Sequence, residues 1–124
     1  MLTIKNLLDL YLSNHSHKLL KVDVDGIELD ILEGAGNRLK EFDVIIVEAP
    51  ISINNDFFFD RLSCVRSKNF VIWDIVDFCY YKSCLSQVDI VFVRKDVKET
   101  LSQLNPWHDG KGFAASEWIT YLQN

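Results

Sequence analysis

Apolar positions near the start of the chain recur every three or four residues, which is typical of one face of an amphipathic helix. The polar residues at positions 14–17 then break this repeat. Residues 3–12 are therefore predicted to form a helix that is followed by a loop. The positions that keep the helical spacing are Ile4, Leu7, Leu8, Tyr11 and Leu12.

The next part of the chain alternates between strand-like and helix-like patterns. Residues 19–24 are mainly aliphatic and run into an Asp-Gly pair, which predicts a strand and then a turn. The apolar spacing then becomes four, as in a helix, until residues 44–47 form an uninterrupted apolar run. Such a run is typical of a parallel strand that is covered on both faces. Residues 19–47 therefore predict a βαβ unit with a right-handed crossover.

Two further strands are predicted at residues 70–76 and 88–93, and the second alternates too little for a surface strand, so we place it centrally. The connection at residues 79–87 has no helical repeat and is shorter than the dozen residues of a parallel crossover, so these strands should pair antiparallel. The fold class is α/β, with two parallel strands followed by an antiparallel hairpin and flanked by helices. Further helices are predicted at residues 57–65, capped by Asp56, at 97–104 and at 114–122, with a loop at 106–112.

Length and composition predict one folded domain, residues 1–124. The chain has 48% hydrophobic and 25% charged residues, as ordinary globular proteins do. A formal net charge of −5 does not suit phosphate binding, so no nucleic-acid partner is expected. No apolar run approaches the roughly 18 residues of a membrane helix, and no signal segment follows Met1. We expect a cytoplasmic chain without a membrane partner.

Histidines and cysteines are weaker candidates for a site. His15 and His17 lie two apart in a polar loop and His108 lies in a late loop, so we expect surface residues in preference to metal ligands or a general base. No metal is expected. The cysteines lack C-x-x-C spacing and are expected to be reduced, half-buried thiols: Cys64, Cys79 and Cys84.

Two carboxylates stand where the predicted parallel strands end. Ligands of open α/β sheets bind at these ends, and neighbouring strands lie about 4.8 Å apart. Asp23 and Glu48 are therefore predicted to share a pocket, where their repulsion would either keep a proton on one of them or attract a cation. The alternative is that Asp23 pairs with Lys21, on the same strand face, and that Glu48 only solvates the strand end.

Asp25 and Glu28 also have two explanations. They follow the first strand at the spacing of a capping box, with an acceptor at the N-cap and a glutamate three residues later. Capping alone accounts for both side chains. We therefore favour capping over a catalytic role for this pair, and the catalytic role stays open.

Residues 21–35 are similar to the K-I-D-V-E-G-x-E-x-x-V-L-x-G-A signature of FkbM-type, S-adenosylmethionine-dependent methyltransferases. Residues 44–48 resemble the next strand of that family, which also ends in glutamate. Residues 73–75 and 87–96 resemble its closing hairpin. One departure is Asp25, where the family usually has glutamate, and the shorter side chain weakens any direct role as a ligand.

The resemblance covers residues 18–96 and implies the carboxy-terminal half of a Rossmann-like methyltransferase sheet. It implies methyl transfer from S-adenosylmethionine to a hydroxyl of a sugar or other small metabolite. Asp23 would act as a base or cation ligand toward the acceptor hydroxyl, and Glu48 would assist.

The resemblance also implies a glycine-rich turn that follows the first strand and binds the cofactor. Residues 33–37 contain Gly34 and Gly36, but they follow a predicted helix instead of a strand, so they do not supply that turn. We therefore expect a fragment that lacks the amino-terminal, cofactor-binding half, does not hold S-adenosylmethionine by itself and is inactive alone.

A sheet without the preceding strands would have an open edge at residues 19–24. Exposed apolar edges tend to pair with other chains. We expect a homodimer through this edge. The alternative function is a non-catalytic, truncated domain that serves as a protein-binding or dimerising module.

Overall fold

The sheet has four strands in the order β1-β2-β4-β3, in a computed structural model that describes the backbone of residues 3–100 and the side chains of residues 3–98. β1 and β2 are parallel, and both β2–β4 and β4–β3 are antiparallel. The predicted parallel pair, the antiparallel hairpin and the central place of the last strand are confirmed. The strands are β1 (Leu19–Val22), β2 (Val44–Pro50), β3 (Phe70–Tyr81) and β4 (Cys84–Arg94).

Helices precede, connect and follow the strands as the apolar spacing predicted. The first helix begins with a capping box, in which Thr3 Oγ1 accepts from the Asn6 N–H and Asn6 Oδ1 accepts from the Thr3 N–H. The helices are α1 (Ile4–Leu7), continued by a π-helical turn (Leu8–Leu12), α2 (Glu28–Ala35), continued by a 3₁₀ helix (Gly36–Glu41), α3 (Phe57–Arg66) and α4 (Lys95–Thr100).

One face of the sheet, which we call the inner face, forms the core with the helices. Ile45, Val47 and Ala49 of β2 pack there with alternate residues of β4 and with apolar residues of α1, α2 and α3. Val44 and Ile46 point to the opposite face and stay partly exposed. Residues 3–98 thus cover β2 fully on one face, whereas the uninterrupted apolar run had predicted cover on both.

The hairpin is longer than predicted. β3 and β4 continue to a two-residue turn at Lys82 and Ser83, so most of the predicted connection at residues 79–87 is strand. Both turn residues have positive φ, 47° and 67°, which suits the tight hairpin turn that matches the twist of the strands. The sequence did not reveal this turn because neither residue is the glycine or asparagine that usually occupies it.

The end of the chain is described only in part. α4 begins at Lys95, two residues before the predicted start, and the structure describes it up to Thr100. The predicted loop at residues 106–112, which contains His108, and the predicted helix at residues 114–122 lie outside the described residues.

Candidate active site

Two carboxylates meet at the end of the parallel pair. Val22 of β1 is in register with Val47 of β2, so the next residues along each strand, Asp23 and Glu48, lie side by side. Their side chains point to the sheet face opposite the core, which we call the outer face, and the interaction between the two carboxyl groups shifts the pKa of each. The predicted juxtaposition of the two side chains is therefore present.

Two carboxyl groups in contact favour sharing one proton, and the pKa shifts of the pair assign that proton to Glu48. The contact with Asp23, together with burial, raises the pKa of Glu48 to about 7. The interaction with Glu48 and the nearby Lys21 ammonium lower the pKa of Asp23. The pKa values of the two carboxyl groups shift in opposite directions because the Glu48 side chain is nearly buried whereas the Asp23 side chain is 47% exposed. One carboxylate and one carboxylic acid therefore coexist below about pH 7, and Glu48 ionises around neutral pH.

A lysine and a third carboxylate complete the cluster. Lys21 Nζ lies 3.2 Å from Asp23 Oδ2 and 3.1 Å from Asp89 Oδ2. Asp89 on β4 is directly opposite Glu48 and is nearly buried. From the sequence, pairing of Asp23 with Lys21 was the alternative to a pocket shared by Asp23 and Glu48. The structure shows both, because Asp23 contacts Lys21 and also lies beside Glu48.

Sequence reasoning missed Asp89, although a signal was present. This aspartate interrupts the apolar run of a strand that was already predicted to be central, and a buried carboxylate in such a strand needs a partner. Its partner is Lys21, two strands away, because β4 inserts beside β2. The strand order that brings them together was not predicted from sequence.

Glu28 holds the turn that presents Asp23. Its Oε1 accepts the backbone N–H groups of Val24 at 3.1 Å and Gly26 at 3.0 Å, and its Oε2 lies 2.5 Å from Arg61 Nη2. Burial by itself raises the pKa of Glu28, but these hydrogen bonds outweigh it and hold the pKa at about 2. Glu28 is thus a buried anion that ties the turn to α3, and Arg61 was not singled out from sequence.

The predicted capping role of Asp25 is wrong. The N-cap of α2 is Ile27, and no side chain caps the helix. Asp25 has φ 55°, in the left-handed region, so it belongs to the turn between β1 and α2 and not to the helix start. Glu28 does reach back to backbone N–H groups, as a capping glutamate would, but it serves the turn. The charge of Asp25 contributes to the raised pKa of Glu48.

Comparisons with known proteins decide the family. The model of the methyltransferase FkbM domain matches residues 1–79 of the 124. The chain belongs to the FkbM methyltransferase family. No curated protein matches it, and no solved structure does. The matched range includes α1 to α3 and the Asp23–Glu48 pair.

Membership of the FkbM family implies S-adenosylmethionine as the cofactor, and the described residues do not fit it. In Rossmann-type sites the free N–H groups of a glycine-rich turn after a strand face the cofactor. After β1, the first strand within residues 3–100, the N–H groups of Val24 and Gly26 are occupied by the Glu28 carboxylate. Gly34 lies within α2 and Gly36 at its C-cap, so neither glycine lies in a turn that follows a strand.

The remaining candidates lie apart from the carboxyl cluster. His17 Nδ1 is 3.2 Å from Asp43 Oδ2 on the surface, and within residues 3–98 no three His, Cys, Asp or Glu side chains are placed to hold a metal ion. Cys64 is half-buried, as predicted, and burial raises the pKa of its thiol. Cys79 and Cys84 are exposed, contrary to prediction, because they lie near the tip of the hairpin.

A groove of about 420 Å³ lies between α2 and α3. It is lined by mixed polar and apolar side chains and shares none of them with the carboxyl cluster. The lining residues of the groove are Leu29, Glu33, Asp60, Ser63, Cys64, Ser67 and Lys68.

Within the described part of the chain, no helix has the length and apolar character to cross a membrane.

Proposed function

We propose that this FkbM-family chain forms the acceptor side of an O-methyltransferase, with a hydroxyl of a sugar or other small metabolite as the acceptor. The proposal rests on one observation, the pair of carboxyl groups of Asp23 and Glu48 at the carboxyl ends of two parallel strands, where the contact with Asp23 raises the pKa of Glu48 to about 7. The order β1-β2-β4-β3, in which only β4 runs antiparallel to the other three strands, supports the further proposal that the sheet is part of a Rossmann-like methyltransferase fold.

The two carboxyl groups suit an alcohol in complementary ways. The half-exposed Asp23 carboxylate accepts a hydrogen bond from the hydroxyl and, as the oxygen is methylated, takes its proton. Glu48, when protonated, donates a hydrogen bond to Asp23 and keeps the negative charge on the exposed partner. Lys21 fixes the position of Asp23 from the other side at 3.2 Å. The same atoms that bind the acceptor therefore receive its proton.

Because the described residues do not fit S-adenosylmethionine, we propose that the chain alone binds this cofactor weakly and is inactive without further cofactor-binding groups. Such groups would come from outside residues 3–100. The Asp23–Glu48 pair lies within residues 3–98, so acceptor binding is the property to test on the isolated chain.

We expect sugars or polyols to shift the carboxyl ¹³C resonances of Asp23 and Glu48 in NMR titrations of the full chain. Asp23→Asn should weaken this binding roughly tenfold to a hundredfold, because a hydrogen bond to a charged group contributes about 1.5–3 kcal/mol. Glu41→Gln, which changes a carboxylate on the exposed 3₁₀ helix, should leave acceptor binding unchanged.

The outcomes of this titration separate the two proposals. A panel of sugars and polyols that never shifts the Asp23 and Glu48 resonances would contradict the acceptor site. Calorimetric titration of the same sample with S-adenosylmethionine should give no heat at micromolar concentrations. Micromolar binding would instead show that the chain holds its cofactor, and the proposal that it is inactive alone would be wrong.

A second candidate function is a non-catalytic, dimerising module, and the position of β1 favours it. β1 is an edge strand of the described sheet. The carbonyl of Lys18 accepts from the Val44 N–H, and Leu19 is in register with Val44, so the backbone groups of Leu19 and Lys21 point away from β2. These groups can pair with the same strand of a second copy.

If β1 forms the dimer, the wild-type chain should dimerise at micromolar concentrations in sedimentation, and Leu19→Pro should be monomeric. Proline removes an N–H that faces away from β2, so the β1–β2 ladder is retained. Leu10→Asn removes an exposed leucine from the first helical segment and should leave the dimer intact. A wild-type chain that stays monomeric would rule out pairing through β1.

A further inference from the structure

The outer face of the sheet carries two adjacent apolar rows. One row crosses all four strands in register, from Leu19 through Val44 and Val93 to Val71, and the next row includes Ile46 and Val91. We call these residues the apolar outer patch. Its members are Leu19, Val44, Ile46, Val71, Val91 and Val93.

The apolar outer patch is not part of the main core. The core cluster contains the alternate residues of the same strands, such as Ile45 and Phe92, and none of the patch residues. Leu19 is 59% exposed, and most other members are half-buried. A contiguous apolar surface on a sheet is normally covered by another layer of secondary structure.

The chain leaves the sheet next to this patch. β4 ends at Arg94, one residue beyond Val93, and α4 follows directly. Residues 101–124 come after α4 and lie outside the described part of the chain. These 24 residues are already tethered beside the patch, so their effective concentration there exceeds that of a second copy in dilute solution.

The sequence of residues 101–124 contains an apolar stripe of matching size. Its apolar positions follow the spacing i, i+3, i+4 and i+7, and the polar residues fall on the opposite side of the same helical wheel. A helix over residues 114–122 would be about 13 Å long, and four strands span about 14 Å. The stripe consists of Ala115, Trp118, Ile119 and Leu122.

We infer that residues 101–124 cover the apolar outer patch, with the stripe of Ala115, Trp118, Ile119 and Leu122 facing the sheet. Charged side chains border the patch and set the limit of this contact, because charged groups resist burial under an apolar helix. Lys21 stands at the end of the row of Ile46 and Val91, and Asp23, Glu48 and Asp89 form the next row. This inference does not depend on the proposed function.

The test uses the full chain and NMR contacts between Trp118 and the patch. We expect nuclear Overhauser effects from the Trp118 indole to the methyl groups of Val44 and Val91. In a mixture of labelled and unlabelled chains these effects should be intramolecular. Trp118→Asp should shift the methyl resonances of both valines, whereas Thr120→Asp, on the opposite side of the helical wheel, should leave them in place.

Two results would overturn the inference. Nuclear Overhauser effects from Trp118 that appear only between labelled and unlabelled chains would show that a second copy covers the patch. Methyl resonances of Val44 and Val91 that show no contact with Trp118 and do not respond to Trp118→Asp would show that residues 101–124 do not cover it. The contacts in the wild-type chain decide the question even if a variant fails to fold.

Discussion

Arg61→Met should lower the free energy of unfolding by about 3–5 kcal/mol at neutral pH, the usual effect of removing one member of a buried ion pair. Glu28 is 0% exposed and Arg61 is 3% exposed, so the substitution leaves an anion buried without its cation. Methionine has about the length of the aliphatic part of arginine, so packing is largely kept. The decrease in the free energy of unfolding therefore comes mainly from removal of the charge. Urea unfolding followed by circular dichroism measures the change.

Arg38→Met is the matched control for Arg61→Met. Arg38 pairs with Asp9 and Glu41, but its side chain is 33% exposed and those of its partners are 50% and 40% exposed. Because solvent screens such pairs, we expect a loss below about 1 kcal/mol. Equal losses for the two variants would show that the buried pair contributes no more than a surface pair and that the turn after β1 is held by other contacts.

The pH dependence of the same ion pair has a definite sign. The pKa of Glu28 is about 2 in the folded chain, below its ordinary value of 4.5. A carboxyl group with a lowered pKa stabilises the fold above its unfolded pKa, and this contribution is lost as the pH falls from about 4.5 toward 2. The difference in stability between Arg61→Met and wild type should therefore shrink across that range.

Glu48→Gln should raise the free energy of unfolding by roughly 1–3 kcal/mol at pH 8 and leave it nearly unchanged at pH 5. The pKa of Glu48 is raised from 4.5 to about 7, so the folded chain binds this proton more tightly than the unfolded chain does, and the stability falls as the pH rises through that range. Glutamine has no charge to bury, and its amide can still donate a hydrogen bond to Asp23. The free energy of unfolding of the wild-type chain should fall between about pH 4.5 and 7 because of Glu48, and this fall should be absent in Glu48→Gln.

Asp89→Asn provides a control in the same row of the sheet. Asp89 is buried like Glu48 but lies 3.1 Å from the Lys21 ammonium, so its charge is compensated. Removing that charge should lower the free energy of unfolding at pH 8, whereas Glu48→Gln should raise it. A Glu48→Gln variant that is also less stable at pH 8 would contradict the proton shared between Glu48 and Asp23.

Sequence patterns predicted the parts of the fold that depend on local periodicity and chain length. The two parallel strands, the helix between them and the antiparallel hairpin followed from apolar spacing and from a connection too short for a crossover. The turn at Lys82 and Ser83 did not follow, because its residues lack the usual turn preference. The cover of β2 on only one face by residues 3–98 did not follow either, since the cover of a strand depends on where distant helices pack.

The candidate site was predictable where strand ends determined it. Asp23 and Glu48 meet because parallel neighbours end at the same edge, a rule that needs no coordinates. Asp89 and Arg61 were not found, because their partners depend on strand order and on how α2 packs against α3. The capping role assigned to Asp25 failed because its backbone adopts a left-handed conformation that the spacing of a capping box does not reveal.

The central claim is that Glu48 holds a proton against Asp23 at the rim of the parallel pair. Titration of the Glu48 side-chain carboxyl ¹³C resonance by NMR measures this most directly. We predict an apparent pKa near 7 in the wild-type chain and a fall toward 4.5 in Asp23→Asn, where the neighbouring charge is gone. A wild-type Glu48 that titrates near 4.5 would contradict the shared proton and, with it, the proposed role of the pair.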